Sequence, residues 1–253
     1  MIKTDKIKEA KVSLVGAGPG DAELITVKGK RLLSEAEVVI YDRLVGDGVL
    51  DFINPAAERV FVGKSSTYHS VAQEEINSII EERAREGKRI VRLKGGDPFI
   101  FGRGGEEARH MAEAGISFEV VPGVTAASGV SAYSGIPLTD RELSSAVTLV
   151  AGHRMKGRGV DDLCFAELAA FDHTIVFYMA LTNLETITGG LIKSGKAPET
   201  PAAVVSSATT KEQSVIVSTL SEIAELTTRG TAKPPVVLIV GSVVGLRETL
   251  NWL

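Results

Sequence analysis

Residues 92–107 read Arg-Leu-Lys-Gly-Gly-Asp-Pro-Phe-Ile-Phe-Gly-Arg-Gly-Gly-Glu-Glu, and this crossing constrains the chain more than any other stretch. It follows the run Arg89-Ile90-Val91, which reads as the end of a buried strand. It precedes a helical pattern over Glu106 to Ala114. A turn between the two does not need so many glycines. Glycine permits positive φ and lets a ligand reach the backbone. At the carboxyl end of a strand in an α/β sheet, such a loop stands where ligands sit. The chain is therefore read as α/β, with this crossing as the centre of a candidate site.

The rest of the pattern agrees with that class. Strands are expected at Lys11–Val15, Glu37–Tyr41, Glu58–Gly63, 89–94 and Phe118–Val121. A helix from Ala22 to about Ala36, with Asp21 as N-cap, and an amphipathic helix from Val71 to Arg85 separate them. Alternation of this kind implies a parallel or mostly parallel sheet. Residues 124–137 are rich in Ala, Ser and Gly and read as a short buried helix at a crossing between domains.

A second series follows. It has strands at Ala146–Ala151, Thr174–Met179, Pro201–Ser206, Ser214–Leu220 and Pro235–Val240. Its helices are near Asp162–Ala170 and at Leu181–Ser194, Ser221–Thr228 and Val243–Leu250. The short gap between Ser206 and Ser214 makes those two strands antiparallel neighbours. The expected domains are 1–122 and 123–253, with the crossing at about 122–145.

Composition narrows the function. The chain has 253 residues, 24% of them charged, and a net charge of −4. That speaks against non-specific nucleic-acid binding and leaves room for a local basic pocket. One cysteine, Cys164, rules out an internal disulfide or a cysteine metal cluster. Its apolar flanks, Leu163 and Phe165, make it a core residue in this reading. The histidines at 69, 110, 153 and 173 lack metal-ligand spacing, so no metal is expected. No apolar run reaches the ~20 residues of a membrane helix. Met1 to Lys11 has no signal-peptide core, so the cytoplasm is expected.

Several nucleotide chemistries fail locally. Gly16-x-Gly-x-Gly-Asp departs from G-x-G-x-x-G because position 21 is Asp, and Pro19 removes an N–H from the loop. Gly95-Gly96 is followed by Asp-Pro, so there is no P-loop. Asp42 and Lys64 close two strands on one edge of the first sheet, where they could shuttle protons or form a structural pair. Arginines 43, 92, 103, 141 and 154 fall at or near expected loops. If clustered, they would suit an acidic substrate.

Taken together, five stretches resemble the tetrapyrrole methylases. They are Val-Gly-Ala-Gly-Pro-Gly-Asp (15–21), Tyr-Asp-Arg-Leu-Val (41–45), Val-Gly-Lys (62–64), the whole of 92–107, and Val-Pro-Gly-Val-Thr-Ala-Ala (121–127). The resemblance continues through Gly-Ile-Pro-Leu-Thr-Asp-Arg (135–141), Gly152-His153, Tyr178-Met179, Ala-Thr-Thr (208–210) and Val240-Gly241. It is closest to the branch acting on uroporphyrinogen III.

The resemblance implies two α/β domains with mixed, mostly parallel sheets and S-adenosylmethionine in the cleft between them. It implies methylation at carbons 2 and 7 of uroporphyrinogen III, through precorrin-1 to precorrin-2, for sirohaem, cobalamin and related pathways. It implies a homodimer with no nucleic acid, membrane or metal partner. By motif position, Pro19, Gly95, Gly96, Asp97, Ile100, Thr125, Ala126, Met179 and Ala208 would contact the cofactor. Asp42 would accept a proton and Lys64 would donate one. Arg43, Arg103, Arg141 and Arg154 would hold substrate carboxylates. The dehydrogenase and chelatase activities of fused sirohaem synthases are not expected. The alternatives are a methylase of a later corrin intermediate, a ribosomal RNA methylase of the same fold, and a non-catalytic cofactor-binding module. A pI of 5.7 speaks against the RNA enzyme.

Overall fold

The computed structural model describes residues 11–63, 72–152, 160, 163–230 and 232–253. Lys64, Arg154, His69, His153 and the expected helix starts at Val71 and Asp162 lie outside the described residues. The chain divides into two compact units, Met1–Thr125 and Ala126–Leu253.

The first unit carries β1 (Val12–Gly16), α1 (Val27–Glu35), β2 (Val38–Tyr41), α2 (Asp47–Leu50), β3 (Glu58–Phe61), α3 (Gln73–Arg85), β4 (Ile90–Lys94), α4 (Gly104–Glu113) and β5 (Phe118–Val121). Its sheet has the order β3-β2-β4-β1-β5, and every pairing is parallel. β1 and β4 are buried along their whole length, as the interior strands of a sheet covered on both faces must be. Alternate residues serve different layers. Val12, Leu14, Ile40 and Ile90 pack with Ile76 and Ile80 of α3 and Met111 of α4. Val15, Val39, Val91 and Leu93 pack on the other face with Leu33 of α1 and Val49 of α2.

The second unit carries α5 (Ala126–Ser134), β6 (Val147–Ala151), α6 (Phe165–Ala170), β7 (Thr174–Tyr178), α7 (Leu184–Lys193), β8 (Pro201–Ser206), β9 (Ser214–Thr219), α8 (Ile223–Arg229), β10 (Val236–Val240) and α9 (Arg247–Leu250). Its order is β6-β7-β10-β8-β9. Only β6–β7 is parallel; β7–β10, β10–β8 and β8–β9 are antiparallel. Five of the eight pairings in the two sheets are parallel, so the mixed, mostly parallel expectation holds for the pair of sheets. The β8–β9 direction also agrees with its short gap. In β7, Ile175 and Phe177 face α6, α7 and α8, while Val176 and Tyr178 face α5.

Several local readings are corrected. The helix expected from Ala22 is a 3-10 turn at Ala22–Leu24 followed by α1. Asp21 caps only the turn, accepting from the Glu23 N–H, while Thr26 Oγ1 caps α1 by accepting from Gly29 N at 3.0 Å. Leu181–Ser194 and Val243–Leu250 likewise begin as 3-10 turns, at Leu181–Asn183 and Ser242–Leu246. The short α2 has no counterpart among the expected elements. Cys164 is exposed at the N-cap of α6, whereas its neighbour Leu163 is buried. Apolar neighbours on either side do not bury a residue whose own side chain leaves the surface between them. Removing the α1 cap with Thr26→Ala should cost about 1 kcal/mol in chemical denaturation, and Asp21→Ala distinctly less.

Candidate functional site

The carboxyl ends of β1, β4 and β5 meet backbone to backbone. Ala17 N donates to Lys94 O at 2.8 Å, and Gly18 and Gly96 exchange two hydrogen bonds across an isolated bridge. Gly16 lies so close to Gly123 and Gly96 that an added Cβ would stand 2.6 Å from the backbone of either. Gly123 presses on Gly96 O still more closely. No side chain fits at Gly16 or Gly123 without displacing a strand end.

Asp97 fastens this junction. Its Oδ1 accepts from Phe99 N at 2.8 Å and Ile100 N at 3.1 Å, closing the turn after Pro98. Its Oδ2 accepts from Gly123 N at 3.0 Å, tying the β4 loop to the β5 loop. The loop beyond carries exposed Phe99, Ile100 and Phe101. Leu44, after β2, comes against Gly95, where a Cβ would stand 2.6 Å from the Leu44 Cβ. The loops after β1, β2, β4 and β5 thus adjoin at one end of the sheet, the ligand-bearing end of a parallel α/β sheet. Pro19 is half-buried in the first of these loops.

Asp42 stands at the end of β2 with its side chain 26% exposed. Oδ1 accepts from Leu44 N at 3.0 Å, and Oδ2 from Arg92 Nη2 at 3.3 Å. Behind it is a buried polar group. Arg92 Nε and Lys94 Nζ each donate to Glu107 Oε1 at 3.0 Å, and Gln73 Nε2 donates to the same oxygen at 3.2 Å. Burial first, and the Arg92 guanidinium second, hold the Lys94 ammonium below the ordinary lysine range, with Glu107 opposing them. This cluster was not singled out from the sequence. Its signal was there: Arg92 and Lys94 continue the core-facing alternation of Ile90, and Glu107 sits in the apolar stripe of α4 beside Ala108 and Met111.

Each described arginine of the expected set has its own local setting. Arg103 is half-exposed at the N-cap of α4 and forms a two-pronged ion pair with Glu106, at 2.9 and 2.7 Å. That carboxylate raises the guanidinium pKa, and the guanidinium lowers that of Glu106. Arg43 is exposed beside Asp42, and Arg141 is exposed in a turn of the second unit.

In that second unit, Tyr178 OH accepts from Ala127 N at 2.9 Å, anchoring the start of α5. Ala126 and the buried Ala208 pack in the same apolar cluster as Tyr178. Met179 follows, half-exposed at φ 55°, and Ser207 and Thr209 flank Ala208 at φ 47° and 66°. Thr125 ends the first unit.

The profile of the Tetrapyrrole (Corrin/Porphyrin) Methylases matches residues 11–224. The chain belongs to that family. It is 54% identical over 241 residues to the siroheme synthase of Edwardsiella ictaluri (strain 93-146), covering 95% of this chain and 51% of that protein. Against the siroheme synthase of Escherichia coli O1:K1 / APEC the identity is 53%, covering 95% and 52%. The chain spans about half the length of these curated relatives. Among solved structures, the uroporphyrin III C-methyl transferase of Thermus thermophilus complexed with S-adenyl homocysteine is 40% identical, with TM-score 0.80 over 94% of this chain and 100% of that one. Cobalt precorrin-4 methyltransferase is 28% identical, with TM-score 0.81 over 92% and 95%.

The Gly96–Gly123 contact offers a direct check on the junction. Gly123→Ala should lower stability by about 2–3 kcal/mol, read as a shift in the denaturation midpoint.

Proposed function

We propose that this methylase transfers methyl groups from S-adenosylmethionine to carbons 2 and 7 of uroporphyrinogen III, giving precorrin-2 through precorrin-1. The observation that carries the reading is the glycine junction with Asp42 beside it, in a chain 40% identical to a protein named uroporphyrin-III C-methyl transferase. The likeness in sequence is greater to the uroporphyrin-III enzyme than to the cobalt-precorrin-4 enzyme, which favours the earlier substrate.

The residues present suit the cofactor. Glycines at 95 and 96 leave backbone at the strand end, and exposed Ile100 and Met179 offer apolar contact to a nucleoside. The proposed set is Pro19, Gly95, Gly96, Asp97, Ile100, Thr125, Ala126, Met179 and Ala208. Both Asp97 oxygens already accept backbone N–H groups, so its first part in the set is to hold the loop. When bound, S-adenosylmethionine supplies an electrophilic methyl group and leaves as S-adenosylhomocysteine.

In an in-line displacement at methyl, the protein contributes mainly alignment. The pyrrole carbon forms the new C–C bond with its own π electrons. The ring proton at the methylated macrocycle is then lost, and Asp42 accepts it in this proposal. Its partial exposure leaves the carboxylate reachable. Lys64 is the proposed proton donor. Arg43, Arg103, Arg141 and Arg154 are the proposed holders of substrate carboxylates. Arg103 would have to exchange Glu106 for the substrate. A homodimer in the cytoplasm completes the proposal. Among the described residues no helix is long and apolar enough to cross a membrane.

Two measurements test this. Incubation with S-adenosylmethionine and fresh uroporphyrinogen III should add two methyl groups to the mass of the tetrapyrrole. No gain, with cofactor binding retained in calorimetry, would move the substrate to a later corrinoid or to RNA. Asp42→Ala should keep cofactor binding and lose turnover by about 100-fold or more, the scale of a lost general base. Turnover at the unsubstituted level would remove Asp42 from the mechanism.

A further inference from the structure

The buried group behind Asp42 has no part in that chemistry as described. We infer that Arg92, held by Glu107, is the positioning residue for Asp42. The inference rests on the reading of Asp42 as the proton acceptor and names what holds it in place.

The geometry is fully committed. Arg92 is 3% exposed, and each of its nitrogens has a partner. Nε donates to Glu107 Oε1, Nη1 to Ile40 O at 3.3 Å and Leu93 O at 2.9 Å, and Nη2 to Asp42 Oδ2. A planar guanidinium bonded on all sides has one place to be. The Asp42 carboxylate, by contrast, has only the Leu44 N–H besides Arg92 as a hydrogen-bond partner among the described residues, and that bond is local to its own turn. The orientation of its carboxylate relative to the sheet therefore comes from Arg92.

The charge pattern points the same way. Two buried cations, Arg92 and Lys94, face one buried carboxylate, Glu107. Both ionic contacts on it fall on Oε1, with Gln73 as a neutral third donor to the same oxygen, and Oε2 has no partner among the described residues. A cluster that served stability alone would balance within itself, and well-packed apolar side chains would serve as well or better. This one carries a surplus positive charge, and the Nη2 of Arg92 carries it to the half-buried Asp42. Lys94 is also the last residue before Gly95, so the same cluster anchors the base of the glycine loop.

A double-mutant cycle on kcat separates positioning from bulk. Arg92→Gln leaves Glu107 with Lys94 and Gln73, one charge against one. It should slow kcat by about 100-fold, the cost of a small misplacement of a reacting group. The calorimetric affinity for S-adenosylhomocysteine should stay unchanged. Placed in the Asp42→Asn background, the same substitution should cost no further kcat. Losses that simply add, or an Arg92→Gln enzyme with unaltered kcat, would overturn the inference. If Asp42→Asn alone left kcat untouched, the acceptor reading would fail first, and this inference with it. Should Arg92→Gln not fold, Arg92→Lys enters the same cycle: it keeps the buried charge and cannot span Glu107, the Ile40 carbonyl and Asp42 together.

Discussion

The first unit depends on three strands ending at one place with no side chains between them. Gly16, Gly96 and Gly123 allow the loops after β1, β4 and β5 to touch as bare backbone. The contact is steric before it is chemical. A methyl group at Gly16 or Gly123 would wedge the loops apart and carry the strand ends with it. Asp97 then supplies what van der Waals contact lacks, which is direction. Three N–H groups from two loops converge on one carboxylate. Hydrogen bonds to an ionised acceptor are among the stronger ones available to a protein.

Such a junction is ordered before any ligand arrives. Loop ordering is a cost that binding otherwise has to meet, and here folding has met it already. The exposed Phe99, Ile100 and Phe101 follow from the same device. The turn that Asp97 caps pushes them outward, and Phe101 takes a φ of 55° in doing so. A non-glycine residue at positive φ costs energy that the surroundings must supply. The second unit shows similar features after β7 and β8, where Met179, Ser207 and Thr209 are held at positive φ. Regular strands there are apolar on both faces, and the irregular backbone begins where they end.

Much of this was legible in the sequence. The strands of the first sheet stand within two residues of their expected bounds, because short apolar runs between polar punctuation have few other readings. The β8–β9 hairpin was legible from its gap. The antiparallel placement of β10 was not, since Val236–Val240 is buried along its whole length and a uniformly apolar run carries no sign of its direction. Helix starts are not legible where a 3-10 turn precedes the helix, as at Ala22, Leu181 and Ser242. The hydrophobic period of the two is nearly the same over one turn. Of the site, Asp42 and the glycine loop could be found from their strand-end positions. Arg92 reads from the sequence as a residue near a loop, although the period of two along β4 puts it in the core.

That placement has a consequence for how β4 finds its partners. Along Ile90-Val91-Arg92-Leu93-Lys94, both charges fall on the face of Ile90, and the opposite face, Val91 and Leu93, is hydrocarbon alone. A slip of one residue against β1 or β2 would turn Arg92 and Lys94 toward the apolar layer of Leu33 and Val49. It would leave Glu107 facing Val91 and Leu93 with no cation. Neither charge set could then be satisfied, and unpaired buried ions are among the most costly errors a chain can make. The same slip in an all-apolar strand would merely exchange one hydrocarbon face for another. The buried ions therefore proofread the alignment of the central strand, and they do so at the end where the loops must meet.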